Sequence, residues 1–313
     1  MKLLRRVNPR QSGLRASVAT IGNFDGVHLG HQAILRQLQG VARKAHLPVA
    51  VIVFEPQPQE YFRAAQAPAR LTRFREKYEI LSTFQIDCLV CLRFDQRLAE
   101  LSAVRFVEEV LVGHLGVRCL VVGDDFRFGH QRRGDFQLLC ELGERYGFAV
   151  ERAATFEVDG ARVSSTRVRD ALERGDLEQA QRLLGRHYGI SGRVMHGDKR
   201  GTSLGFPTVN ISLQRRACAL EGVFAVRVKG LGAASLPGVA YVGGRPTIDA
   251  RPPLLEVFVF DFDQECYGRP IHVEFITKLR ADHRFDSLEA LKAQIALDVS
   301  RARKFLVGSR TTA

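Results

Sequence analysis

No apolar run in this sequence approaches the roughly 20 residues that a membrane-spanning helix needs. The opening segment MKLLRRVNPRQSG is basic but lacks the apolar stretch of a secretory signal, so the chain is expected in the cytoplasm. Cysteine is sparse and scattered, at positions 88, 91, 119, 140, 218 and 266. Cys88 and Cys91 form a CxxC, which is half of a zinc site, but a second pair at similar spacing is missing. They lie in the apolar run IDCLVCLRF and read as reduced core thiols of a reducing compartment. No basic run is interleaved with aromatics, and no recognition motif for DNA or RNA occurs. A GxxxxGK[ST] phosphate loop is missing as well, as are repeats and low-complexity tracts.

What is present suits a two-domain globular protein. The 313 residues are long for one domain, and 45% of them are hydrophobic, enough for packed cores. The net charge of +12 attracts polyanions, but its excess is spread along the chain as isolated arginines. That distribution leans towards phosphate ligands but does not choose among nucleic acid, anionic lipid and small phosphorylated ligands.

The hydrophobic rhythm changes near residue 186, which divides the chain into 1–185 and 186–313. Before it, apolar runs such as SVATIGNF, LPVAVIVF, IDCLVCLRF and VRCLVVG alternate with helical patterns. The first of these, HQAILRQLQGVARKA, is apolar at Ile34, Leu35, Leu38, Val41 and Ala42. Continuous apolar strands separated by helices predict a parallel sheet covered on both faces, a Rossmann-like α/β fold. Two short helices close this half, VRDALER ending at Gly175 and LEQAQRLL capped by Asp176 and ending at Gly185. Six short strand-like runs follow, from ISGRVMH to IHVEFITKL, separated by Gly, Pro and Asp. They predict a six-stranded antiparallel β-barrel. A last helix carries Leu288, Leu291, Ile295, Val299 and Leu306 on one stripe.

Four clusters carry chemistry. In IGNFDGVHLGHQAIL a glycine loop follows a strand and opens a helix. Ligands of parallel sheets bind at such strand ends, glycines let backbone approach a phosphate, and the helix offers free N–H groups to an anion. His28 and His31, three apart, share one face of the first turn and can both donate to phosphate oxygens. The alternative is a plain glycine turn with capping or exposed histidines. VSSTRVRD sets hydroxyls and arginines at another helix start, either a second anion site or ordinary capping. In GDKRGTSLGFPTVNI, Thr208 and Asn210 face one side of a strand, where a hydroxyl and an amide oxygen suit Mg²⁺ beside a phosphate, or simply form a polar face. In LLEVFVFDF, Glu256 shares a face with Phe258 and Phe260, a setting for proton transfer near a flat aromatic ring.

Taken together, GNFDGVHLGHQ, FEPQPQEYF, VGDDFRFG and VSSTRVRD resemble the FMN adenylyltransferase module of the prokaryotic bifunctional riboflavin kinase/FAD synthetase family. GFPTVN, GVAYVGGRPT, LEVFVFDF and HRFDSLEALKAQIALD resemble the riboflavin kinase module of the same family. The resemblance spans roughly residues 17 to 307. It implies phosphorylation of riboflavin to FMN by ATP, then adenylylation of FMN to FAD with loss of pyrophosphate, both steps with Mg²⁺. Riboflavin, FMN, FAD and ATP are then the partners, with no nucleic acid and no membrane. His28 and His31 would bind ATP phosphates and stabilise the transition state. Gly22, Phe24, Asp25, Gly30, Ser165, Thr166 and Arg169 would hold the nucleotide and its phosphates, Asp25 as either a turn aspartate or a catalytic carboxylate. Asp125 and Phe126 would lie at the flavin end. In the second half, Thr208 and Asn210 would hold Mg²⁺–ATP under a loop with Lys199, Gly201 and Gly205. Glu256 would take the proton of the riboflavin 5′-hydroxyl. Two positions depart from the family pattern: Tyr241 stands where asparagine is common, and Phe258 where histidine is common. Both are expected to tune flavin affinity or stacking. Two rival readings are a chain that keeps one activity only, and a basic nucleic-acid-binding protein on a nucleotide fold.

Overall fold

A computed structural model describes residues 1–5, 16–123, 125–196, 205–243 and 254–308. The chain forms two compact units, residues 1–68 with 74–163, and residues 69–73 with 164–313.

The first unit is built on strands β1 (Lys2–Leu4), β2 (Ser17–Ile21), β3 (Val49–Glu55), β4 (Cys88–Arg93), β5 (Val117–Val122) and β6 (Ala149–Arg152). They lie in the order β1-β4-β3-β2-β5-β6, and every neighbouring pair is parallel. The continuous Val/Ile/Leu runs follow from this, since both faces of the sheet are covered. Helix α1 (Leu29–Ala45) covers one face with Leu35, Leu38 and Ala42. Helix α2 (Phe74–Ser82) adds Leu81 to the same core. Helix α3 (Phe136–Tyr146) packs Leu139 and Leu142 on the other face. Residues three apart on a strand point to opposite faces. Cys88 and Cys91 accordingly belong to different cores, share no site, and have thiols pushed up to about 11, chiefly by burial. The order of strands reverses at β2: the chain runs out through β3 and β4, then crosses to β5 and β6. Such a reversal opens a crevice at the carboxyl ends of the central strands. Two pieces were too short to show in the sequence pattern, β1 and the hairpin β7 (Glu157–Val158) and β8 (Ala161–Arg162).

The second unit opens with α4 (Ser165–Arg174) and α5 (Leu177–Leu184). Ser164 caps α4 by accepting the Arg167 N–H, and Asp176 caps α5 by accepting that of Gln179. Gly175 and Gly185 end the two helices with φ of 75° and 70°. Strands β9 (Gly189–Met195), β10 (Val209–Ser212), β11 (Gly222–Lys229), β12 (Leu236–Gly243), β13 (Leu254–Val259) and β14 (Pro270–Arg280) then close an antiparallel barrel, ordered β10-β13-β12-β11-β14-β9. Alternate residues such as Phe224, Val226, Leu255, Val257, Val273 and Phe275 are fully buried.

Residues 69–73 count with this second unit although they interrupt the first in sequence. The buried guanidinium of Arg215 donates to the Leu71 and Arg70 carbonyls and to the Tyr188 hydroxyl, while Tyr188 donates to the Leu71 carbonyl. Leu71 is fully buried. Helix α6 (Leu288–Gly308) lies against the outer face of the barrel through Val299, Ala302 and Leu306. The expected stripe is corrected at its start, because Leu288, the first residue of α6, is 65% exposed and burial begins one turn later at Leu291. Asp298 interrupts the apolar stripe yet is buried, since Arg280 Nε meets its Oδ2 at 2.9 Å.

Candidate functional sites

In the first unit the loop Gly22–His28 leaves β2 at its carboxyl end and makes three left-handed residues, Phe24, Gly26 and Val27. That folding sets His28 at the N-cap of α1, where its Nδ1 accepts the His31 N–H at 3.3 Å. With Nδ1 occupied as acceptor, Nε2 of His28 carries the proton and is a donor. The His28 and His31 rings stack, with centroids 3.7 Å apart and planes at 17°. Phe24 is buried, and its ring lies 4.7 Å from that of His31, backing the pair from the core. A Cβ on Gly30 would come within 3.2 Å of the His28 ring and the Val163 carbonyl, so only glycine leaves both in place. Asp25 is buried in the same loop.

His31 is held neutral: burial, then the neighbouring His28 and Lys77, push its pKa well below 6.5. Its Nδ1 is buried and has no hydrogen-bond partner in the structure. A consequence can be measured. An unfolded chain protonates His31 near 6.5, whereas the folded chain resists, so folding stability attached to this residue is lost as pH falls below about 6.5. Thermal unfolding between pH 7.5 and 5 is expected to show this decline, and His31→Gln is expected to flatten it. Equal slopes in the two proteins would contradict the assignment.

At the carboxyl ends of β3, β4 and β5 lies a cavity of about 770 Å³. Phe54, Phe62, Phe94, Phe126 and Phe128 wall it, and Arg63, Arg127 and Arg132 are among its lining residues. Phe126 and Phe128 stack at 5.5 Å and 12°, and Phe54 meets Phe94 edge-on at 5.7 Å. Flat apolar walls beside cations suit a planar aromatic ligand bearing a phosphate. Sequence reasoning found Phe126 but missed the other four. Phe54, Phe94 and Phe128 stand at or just after strand ends, in FEPQPQEYF, IDCLVCLRF and FRFG, and Phe62 closes the first of these stretches. Asp125 lies beyond β5 and accepts Arg162 Nη2 at 3.2 Å.

In the second unit, Ser165, Thr166 and Arg169 stand on the first turns of α4, and the Ser164 hydroxyl serves as its cap. Arg169 Nε donates to the Ala69 carbonyl at 2.6 Å, which fixes the side chain against residues 69–73.

The barrel gathers Asn210 and Glu256. They are register partners on β10 and β13. Directly opposed residues project from one face with Cβ atoms roughly 4.5–5.5 Å apart. Asn210 is buried and Glu256 half-buried, while Leu255 and Val257 turn into the barrel. Phe258 shares the Glu256 face, and its ring meets Phe206 at 5.4 Å and Phe260 at 5.7 Å. Thr208 lies just before β10, and Gly205 takes a φ of 87°. Lys199 and Gly201 lie outside the described residues.

The family model described as FAD synthetase matches residues 10–167, and the one described as riboflavin kinase matches residues 184–306. The chain is 50% identical over 306 residues to the bifunctional riboflavin kinase/FMN adenylyltransferase of Escherichia coli K12, covering 97% of this chain and 98% of that protein. It is 46% identical to the protein of the same name from Haemophilus influenzae, covering 97% and 99%. Among solved structures, a Streptococcus pneumoniae protein titled a macrolide-efflux protein matches with a TM-score of 0.80 and 28% identity, over 96% of this chain and 98% of that one. Efflux is said of that protein only; among the described residues here, no helix is long and apolar enough to cross a membrane.

Proposed function

The chain belongs to the bifunctional riboflavin kinase/FMN adenylyltransferase family, and from that premise we propose a division of labour among its residues. The protein is a transferase that phosphorylates riboflavin to FMN with ATP and then adenylylates FMN to FAD. On the bounds read from the sequence, residues 1–185 form the adenylyltransferase module and residues 186–313 the kinase module, although residues 164–185 count with the second compact unit. One observation carries this reading: the chain holds two separate sets of site residues, the stacked His28–His31 pair at the start of α1 and the Asn210–Glu256 pair of the barrel. A chain reduced to one activity would not need both.

In the first module FMN lies in the phenylalanine-walled cavity, with its phosphate towards the arginines. A phosphate oxygen of FMN attacks the α-phosphorus of ATP, the bond to the β-phosphoryl oxygen breaks, and pyrophosphate leaves. His28 and His31 donate hydrogen bonds to the phosphoryl oxygens, whose charge grows in the transition state. Gly22, Asp25 and Gly30 shape the loop that lets backbone approach the triphosphate. Asp125 and Phe126 bound the flavin end.

In the second module the riboflavin 5′-hydroxyl attacks the γ-phosphorus of ATP, its proton passes to Glu256, and ADP leaves. The donor set Thr208 and Asn210 fits Mg²⁺, which takes one or two protein oxygens beside substrate phosphates. When bound, the ion neutralises phosphate charge and orients the transferred group. Lys199, Gly201 and Gly205 form the loop over the nucleotide. A reducing cytoplasm suits six free thiols.

The test is a chromatographic time course with purified protein, riboflavin, ATP and Mg²⁺. FMN is expected first and FAD after it. FMN alone, with added FMN also left unconverted, would remove the adenylyltransferase assignment. No conversion of either flavin would remove both.

A further inference from the structure

The phenylalanine-walled cavity of the first unit is lined by Arg63, Arg127 and Arg132, and among the described residues by no carboxylate. Its charge favours an anion, but the three cations are not equivalent. Arg127 bends back, with Nη1 at 3.4 Å from the Phe126 carbonyl. Arg63 follows the short turn Pro58–Phe62 with a φ of −140°. Arg132 stands in a loop of another kind. Gln131 and Arg132 take φ of 54° and 58°, and nowhere else among the described residues are two consecutive residues other than glycine left-handed. Such backbone is costly and persists only where its surroundings over-determine it. Here they do. Phe128 and Gly134 exchange two backbone hydrogen bonds, of 3.0 and 2.9 Å, which close the loop. His130 anchors it, its N–H donating to the Leu101 carbonyl at 2.8 Å and its Nδ1 lying 3.1 Å from the Ala99 carbonyl. A Cβ on Gly129 would meet Ala103 at 2.5 Å, and one on Gly134 the Phe128 ring at 2.8 Å. Arg133 turns to its neighbour, Nη2 donating to Gln131 Oε1 at 3.0 Å. Arg132 is the cation that this loop gives to the cavity. The loop that sets His28 is built alike, with Phe24 and Val27 left-handed.

We propose that Arg132 determines specificity at this site: its guanidinium holds the terminal phosphate of FMN and so separates FMN from riboflavin, which has the same ring and chain without the phosphate. The proposal rests on the reading that FMN occupies this cavity. The aromatic walls meet both flavins alike, so discrimination has to come from a group that answers the phosphate. A guanidinium presents a fork of N–H donors that matches phosphate oxygens. The phosphate of FMN has three terminal oxygens, so two can be held while the third attacks the α-phosphorus of ATP. A side chain on a fixed backbone also has less freedom to lose when the ligand arrives. That gain is the use to which the strained loop is put.

Arg132→Asn removes the cation and keeps a residue that tolerates left-handed backbone. In the full chain supplied with FMN, ATP and Mg²⁺, the KM for FMN in FAD formation is expected to rise about tenfold, the loss of a hydrogen bond to a charged group. The kcat and the KM for ATP should change by less than about twofold, because the contact is made equally in the ground state and the transition state. Lumiflavin, the flavin ring with neither ribityl chain nor phosphate, should inhibit the variant as strongly as the parent. Arg132→Lys keeps the charge but not the fork, and its KM should fall between the two. If thermal unfolding shows that Arg132→Asn does not fold, Arg132→Gly, which suits a φ of 58°, decides the matter. An unchanged KM for FMN would overturn the proposal. So would lumiflavin inhibition weakened in step with FMN, since the arginine would then act on the ring. Phe126→Ala run alongside separates the two readings, and it should weaken FMN and lumiflavin alike. If it changes neither, the cavity is not the flavin's place and the proposal falls with that reading; if it weakens both while Arg132→Asn matches the parent, only the arginine's role fails.

Discussion

Replacing His28 and His31 together with alanine is expected to abolish FAD formation and to leave FMN formation largely intact. The reason lies in what the two rings supply. Their centroids are 3.7 Å apart, and His31 is held neutral by burial and by its neighbours. Two imidazolium rings at that distance would repel, so in the proposed reaction the pair acts through N–H donors to phosphate oxygens. One such donor is worth about 10²–10³ in kcat, and losing two takes the rate below detection. Alanine at position 28 also removes a helix cap, which costs about 1 kcal/mol. His28→Asn separates the two effects, since its side-chain oxygen accepts the His31 N–H as Nδ1 does now. This single variant should unfold near the parent temperature and still lose about 10²-fold in FAD formation. Parallel assays of riboflavin phosphorylation and FMN adenylylation in each folded variant provide the check. Equal collapse of both reactions would contradict the division between modules.

The histidine pair was legible in the sequence because everything that positions it is local. A strand, three glycines and a helix start occur within fifteen residues, and the N-cap bond spans only three. The barrel was legible for a similar reason: each strand is a short apolar run between turn residues, and period-two alternation put Glu256 and Phe258 on one face. The phenylalanine-walled cavity was not legible as a whole. Its walls come from Phe54, Phe62, Phe94, Phe126 and Phe128, brought together by the order of strands in the sheet, which no local pattern encodes. The same holds for Tyr241 and Asp282, 41 residues apart, and for residues 69–73, whose place with the second unit depends on Arg215 and Tyr188. Asp298 was hidden in another way. A carboxylate breaks an apolar stripe on paper, but paired with Arg280 it packs as part of one.

The second large effect concerns Glu256. Glu256→Gln preserves the shape of the side chain and its place between Asn210 and Tyr241. It removes the capacity to accept a proton. Riboflavin phosphorylation is expected to fall by roughly 10²-fold or more, the range over which a positioned base assists such a transfer. The loss should appear in kcat, with the KM for riboflavin little changed, because the proton moves in the transition state and not on binding. Adenylylation of supplied FMN should proceed at the parent rate, since its chemistry is assigned to the other module. The pattern is therefore the mirror image of the histidine variants: FMN formation lost and FAD formation retained. Glu256→Asp sharpens the test, because a base shortened by one methylene keeps its charge but draws back from the hydroxyl. Its rate should lie between those of the parent and the glutamine variant. A glutamine variant that phosphorylates riboflavin normally would mean that the 5′-hydroxyl loses its proton elsewhere, and that the row across β10, β13 and β12 only shapes the site.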